Sequence, residues 1–388
     1  MKLKLKNTPE QVELIAALGS RDPGASREAQ EAFAAFIGPV IQKVIAQAST
    51  AGLIFSDSEF DEDDNPSIPL DLWYDEKEGY IQTWSQSIAG GLPTSQVEGV
   101  KEMKIATYRI DSAVSWLKKY ARKHRLDVVS KSLERMAQEV LVKQERNAWA
   151  VVLKALAEAK SGTSHQGEGH VIASMRKNEF NVHDLSRLMT LMRRLSESWA
   201  KGSSVGADSF GLTDLFVSPE VKEQIRGFAY NPMNTRGARD TGPVALPNNV
   251  REDVWSSAGM SELYGVAIHD MIELGVARKY NTLFGSFAGA GIGHDVDSGT
   301  VTTVGKQGTN FSTSATVANS TGHQILVGLD LTRDAFIRPV ARQHESGGQF
   351  ITLPDDQWVT RSDKVGFYGF LEEGRVCVDA RAIAGIVM

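Results

Sequence analysis

The sequence predicts an α+β fold, with runs of helix and runs of strand kept apart along the chain. Three observations carry this. Residues 126–159, LDVVSKSLERMAQEVLVKQERNAWAVVLKALAEA, run for 34 positions without Gly or Pro. Around residues 66–112 polar and apolar side chains alternate in segments rich in aromatic and β-branched residues, and DKVGFYGFLEEGRVCVDARAIAGIVM at 363–388 reads as two further strands. No proline occurs from 94 to 218, whereas eleven glycines fall between Gly285 and Gly348, where turn-rich sheet and exposed loop are expected.

In chain order, residues 8–50 read as two amphipathic helical stretches, PEQVELIAALG and SREAQEAFAAFIGPVIQKVIAQAS, separated by the turn RDPGA. FSDSEFDEDDNP at 55–66 reads as a solvated loop unless a basic partner covers it. IPLDLWYD and GYIQTWSQSIAGGLP read as strand, and VKEMKIATYRIDSAVSWLKKYA continues as strand before turning helical near Val114. Such a ribbon lacks a core of its own and must lie on another part of this chain or on another chain.

The 126–159 stretch is a single helix of roughly 50 Å. Leu126, Val129, Leu133, Met136 and Val140 form its apolar stripe, continued by Leu141, Ala148, Val152, Ala155 and Leu156. The stripe suits a helix laid on a sheet and requires no coiled coil. Residues 160–179 are a polar loop, 181–202 an amphipathic helix, and TDLFVSPEVKEQIRGFAYNP a strand, turn and helix with Glu220 in the first helical turn. The chain closes on two strands with Glu372, Glu373 and Gly374 as their hairpin turn.

The formal charge of −6 and the pI near 5.8 argue against a protein built to grip nucleic acid. Cys377 is the one cysteine, which excludes an internal disulfide and any multi-cysteine metal site; it reads as packing. The N-terminus lacks the apolar core of a signal peptide, and no run of about 18 apolar residues suggests a membrane span.

Recognisable catalytic chemistry is absent. Gly289, Gly291 and Gly293 are spaced like a phosphate loop, but HDVDSGTVTTVG follows where a helix would be needed. His294, Asp295 and Asp297 lack the calcium-loop pattern, and His165 and His170 lack a carboxylate or cysteine at ligand spacing. His269, Asp270 and Glu273 lie on a possible helix, where they read as a solvated face. No acid, base and oxyanion donor come together in the sequence, so no cofactor, metal or catalytic residue is expected.

Charge is segregated. Residues 57–78 hold ten acids, including Asp61, Glu62, Asp63 and Asp64, against Lys77, a net of −9. Residues 118–160 hold eleven Lys or Arg, among them Lys131, Arg135, Lys143 and Arg146, against five acids, a net of +6. The two segments could close one subunit, set the register between subunits, or be solvated independently. Trp73 and Trp84 stand in the strand-like region as candidate anchors for an intermolecular contact, while Trp116 is expected in intrachain packing.

The order of parts resembles the major capsid proteins of tailed double-stranded DNA bacteriophages, the HK97-like fold. The likeness rests on a helical N-terminal arm, an extended two-stranded loop, a long helix, LFVSPEVKEQI, a glycine-rich middle and a return to strands. It implies an N-terminal arm at 1–55 and an extended loop at 56–117 reaching a neighbouring subunit. It further implies a peripheral domain at 118–218 and 350–388 braced by the spine helix 126–159, and an axial domain at 219–349. The function implied is a non-enzymatic shell tile, assembled in the host cytoplasm as hexamers and pentamers around DNA held without sequence-specific binding. Portal, scaffolding and decoration proteins are the implied partners, with no membrane. Some members cross-link a loop lysine to an asparagine; Lys77 lies in that region, and no cross-link is predicted. The alternatives are an encapsulin-like compartment shell and an α+β enzyme using the His269 or Gly289 region.

Overall fold

A computed structural model describes residues 9–20, 22, 24–35, 50–61, 65–69, 102–122, 126–159, 169–174, 179–195, 211–230, 262–288, 324–342, 350–354 and 364–388. The chain opens with helix α1 (Pro9–Leu18), helix α2 (24–35) and the short helix α3 (Ala51–Ile54). Strands β1 (Ser56–Asp61), β2 (Ser67–Pro69), β3 (Glu102–Lys104) and β4 (Thr107–Leu117) follow, then helices α4 (Lys118–Arg122) and α5 (Leu126–Glu158). Next come β5 (Val171–Ala173), α6 (Val182–Arg194), β6 (Asp214–Val217), α7 (Pro219–Tyr230), β7 (Glu262–Leu263), β8 (Val266–Asp270) and α8 (Lys279–Ala288). Strands β9 (Ile325–Leu329), β10 (Phe336–Arg342), β11 (Ile351–Pro354), β12 (Lys364–Gly374), β13 (Val376–Cys377) and β14 (Ile383–Val387) complete the chain.

Two compact units divide these elements, the first made of 1–71, 99–148 and 336–376, the second of 72–98, 149–335 and 377–388. Strand pairing groups β5, β6 and β14 with β8 and β9 in one sheet. The long helix matches its expected span within one residue; its residues 126–148 belong to the first unit and 149–158 to the second.

In the first unit β12 is the central strand. One of its edges pairs with β4 along eleven residues, and the other meets β11 and then β10, which β1 joins in parallel. Val129, Leu133, Met136, Ala137 and Val140 of α5, with Phe33 of α2 and Ile15 and Leu18 of α1, pack on Trp116, Val365, Phe367 and Leu371 of the sheet. Trp116 stacks on Phe367 at 5.4 Å between centroids, so it is a core residue as expected. The sequence reading ended this strand near Val114, but β4 keeps its period of two through Leu117: Ile110 and Trp116 are buried, and Arg109, Asp111, Ala113, Ser115 and Leu117 are exposed.

A larger correction concerns 364–388. No hairpin forms at Glu372–Gly374; β12 runs straight through them, and β14 enters the second unit's sheet. The acids read as turn residues because two adjacent carboxylates suggest solvent, whereas Glu373 is fully buried with its charge compensated.

Helix α5 approaches the sheet closely at Gly369. A Cβ there would sit 2.5 Å from the Phe350 ring and 2.7 Å from Met136 Cε. Gly369→Ala should therefore lose about 1–3 kcal/mol in urea unfolding, the usual result of overpacking. Gly227→Ala on α7, where an added Cβ meets nothing within 4 Å, should instead hold or gain about 0.5–1 kcal/mol from helix propensity.

The second unit has a six-stranded mixed sheet, ordered β5-β14-β9-β6-β8-β7. Every residue of β9 and β14 is buried, as expected for strands covered on both faces. Leu215 and Val217 of β6 face the core built with Leu185, Leu188 and Leu191 of α6 and Val221 and Ile225 of α7. Phe216 points the other way, edge-on to Trp149 of α5 at 5.0 Å, and Tyr280 of α8 stacks on the same indole at 5.6 Å. Strands β7 and β8 are joined by Tyr264 and Gly265, both at positive φ (54° and 78°), the backbone that a two-residue hairpin requires.

Candidate assembly surface

The α5 surface within the first unit is the best-defined candidate. Lys131, Arg135, Lys143 and Arg146 are all exposed, interspersed with Gln138, Glu139 and Val142. At 100° per residue the four cations fall within a 120° arc over roughly 22 Å of axis. Among the described residues none of the four reaches a carboxylate within 4 Å. Their helix is held by its opposite face, so the charge display is fixed by core packing.

The acidic candidate is only partly described. Asp61 is exposed at the end of β1; Glu62, Asp63, Asp64, Trp73 and Trp84 lie outside the described residues. The start of the acidic run was expected as loop, but it forms the edge strand β1, and β10 supplies the basic partners. Asp57 meets Arg338 at 3.2 Å and Glu59 meets Arg342 at 3.5 Å. No ion pair joins Asp61 to the four cations of α5 among the described residues. Strands β2 and β3 form a two-stranded ribbon by themselves, with Ile68 opposite Met103.

A buried ion cluster in the first unit escaped the sequence reading. Glu373 Oε2 accepts from Arg338 Nε at 2.7 Å, from Arg375 Nη2 at 3.2 Å and from Gln144 Nε2 at 3.2 Å. Its Oε1 accepts from Tyr108 Oη at 2.9 Å and Arg375 Nε at 3.2 Å. Burial, with the neighbouring Glu373 charge, pushes the Tyr108 phenol up to about 12, so it stays a donor at neutral pH. One carboxylate thus joins β4, α5, β10 and β12. The signal was available: Glu373 is in phase with Val365, Phe367 and Leu371, the buried side of an alternating strand.

The rival catalytic candidates resolve differently. His269 lies on strand β8, so it shares no helix face with Glu273; its Nε2 is 2.7 Å from Asp214 Oδ1 and its ring stacks on Phe216. Asp270 is paired with Lys222. His170 is buried, with Nδ1 2.9 Å from the Ile383 carbonyl. Burial pushes the Cys377 thiol up to about 12, reinforced by the Asp379 charge, which leaves it a poor nucleophile. His165, Gly289, Gly291, Gly293, His294, Asp295 and Asp297 lie outside the described residues. Among the described residues no group of three His, Cys, Asp or Glu could hold a metal ion, and no helix is long and apolar enough to cross a membrane.

No family model matches the sequence. No curated protein matches it. Among solved structures, the chain is similar to the capsid of the cyanophage P-SCSP1u, at 11% identity and a TM-score of 0.45, covering 86% of each chain. It is similar to the capsid of an empty GTA particle, at 11% identity and 0.49, covering 88% of this chain and 90% of that one. It is also similar to an encapsulin complex from Synechococcus elongatus, at 10% identity and 0.44, covering 87% of both.

Proposed function

We propose that the chain is a self-assembling shell tile, the major capsid protein of a tailed double-stranded DNA bacteriophage with an HK97-like fold. The observation that carries self-assembly is one of complementarity. A basic face on α5 that meets no carboxylate within 4 Å among the described residues and an acidic segment with a net of −9 over 57–78 belong to one chain, as the two halves of a head-to-tail contact must. The capsid reading rests on the element order, with α5 as the spine helix. The first compact unit takes the peripheral role, the second the axial role, and the segment around β2 and β3 reaches a neighbour. Asp61–Asp64, Trp73 and Trp84 face Lys131, Arg135, Lys143 and Arg146 of the next copy, closing hexamers and pentamers. The tile is not an enzyme. It encloses DNA without sequence-specific contacts, and portal, scaffolding and decoration proteins join it in the virion capsid, assembled in the host cytoplasm.

The test is electron microscopy of the full chain expressed alone and with its neighbouring genes, with light scattering for mass. Closed shells or hexamer sheets are expected. DNA inside shells formed with the neighbouring genes supports the capsid, whereas shells formed by the chain alone around a cargo protein would make it a compartment shell. A uniform monomer or dimer in both preparations would overturn the reading.

A further inference from the structure

We infer that β1 is a detachable latch on the first unit's sheet, hinged at Phe55 and held closed by charge. Five of its six side chains are exposed and Phe60 is only half-buried; none belongs to the hydrophobic core of that unit. Among the described residues it lies at the sheet edge, paired on one side with β10 from Ser56 opposite Ile337 to Asp61 opposite Arg342. Among the described residues, what holds it is main-chain pairing, Ser56 Oγ donating to the Phe336 carbonyl at 3.1 Å, and the ion pairs Asp57–Arg338 and Glu59–Arg342. Segments with few apolar contacts and solvent-exposed main-chain bonds open locally, well below the energy of global unfolding.

The preceding residues behave in the opposite way. Phe55 is buried, edge-on to Phe336 at 5.6 Å and under the Arg375 guanidinium at 5.0 Å. Helix α3 is tied to α5 by Glu145, which accepts from Thr50 Oγ1 at 2.5 Å and Ala51 N at 3.1 Å. A firm anchor followed at once by a coreless strand defines the hinge.

Arg338 makes opening feasible. It grips the buried Glu373 through Nε at 2.7 Å and the exposed Asp57 through Nη1 at 3.2 Å. When β1 leaves, Arg338 keeps Glu373, so no buried charge is stranded. The Glu59–Arg342 pair is more than half exposed on both sides and is screened by salt. Opening uncovers the Phe336–Arg342 edge for another strand without disturbing β4 and β12. This inference concerns the single subunit and stands apart from the capsid reading.

The test is hydrogen exchange by mass spectrometry on the full chain, following peptides over 56–61 and 364–374. The 56–61 amides should exchange far ahead of β12. Raising NaCl from about 50 mM to 1 M should speed them about three- to tenfold with β12 unchanged, the range two partly exposed pairs supply. Glu59→Gln should mimic the salt effect in part, by about two- to fivefold. An oxidised Asp61→Cys/Arg342→Cys pair should bring the segment's protection to that of β12. Exchange of 56–61 in step with β12, or insensitive to salt and to Glu59→Gln, would overturn the latch.

Discussion

Glu373→Ala is expected to lower the unfolding free energy of the subunit by about 3–5 kcal/mol, the usual result of removing one partner of a buried pair. The side chain is fully buried, and the Arg375 and Arg338 side chains that it compensates are only 2% and 14% exposed. Truncation leaves both guanidinium groups facing a carboxyl-sized void and deprives Tyr108 and Gln144 of their acceptor. Glu372→Ala one position earlier should stay within about 1 kcal/mol, since that half-exposed carboxylate accepts only from Thr107 Oγ1 at 2.7 Å among the described contacts. Urea unfolding of the unassembled subunit checks both; equal losses from the two variants would mean that the buried carboxylate stabilises the subunit no more than its half-exposed neighbour does.

The same cluster gives the stability curve a sign on the alkaline side. Tyr108 holds its proton to about 12 in the folded chain and to about 10 when unfolded. The stability linked to its neutral form is therefore fully present below pH 10 and is lost as pH rises towards 12.

What could be read in the sequence depended on how local the signal was. Helix α5 was legible because 34 residues without Gly or Pro, striped at helical spacing, admit one local structure. The strand, turn and helix at Asp214–Tyr230 were legible for the same reason, with Pro219 and Glu220 marking the helix start. The charged members of the sheets were misread. Asp57 and Glu59 looked like loop because their partners Arg338 and Arg342 lie some 280 residues away. Glu373 looked like a turn because its compensation comes from four side chains scattered between Tyr108 and Arg375. The sequence AIHDMIEL allows a helix with His269 and Glu273 four apart, yet parallel pairing with β6 makes His269 strand. Local pattern fixes period, and long-range pairing decides which charges are inside.

The candidate surface divides along the same line, and its basic half can be tested at once. Reversing all four cations of the α5 face, Lys131→Glu, Arg135→Glu, Lys143→Glu and Arg146→Glu, should abolish particles while leaving the subunit folded. Each side chain is exposed and has no carboxylate within 4 Å among the described residues, so each change should alter folding stability by no more than about 0.5 kcal/mol. In an assembly that seats the acidic segment of the next copy on this face, four attractions become four repulsions. Like charges brought together cost several kcal/mol, which raises the concentration needed for assembly by a factor of about 100 or more. Sedimentation velocity with electron microscopy reads the outcome, and circular dichroism confirms the fold. Mixing the reversed chain with a copy carrying Asp61→Lys, Glu62→Lys, Asp63→Lys and Asp64→Lys should restore contacts between unlike copies alone, because each then offers the other a matching face while like copies still repel; alternating copies can close a ring of six but not one of five. Hexamers or flat hexamer sheets without closed shells in the mixture would be the signature of a head-to-tail contact. Normal particles from the reversed chain alone would remove the α5 face from the interface and leave the acidic run to the latch and to solvent.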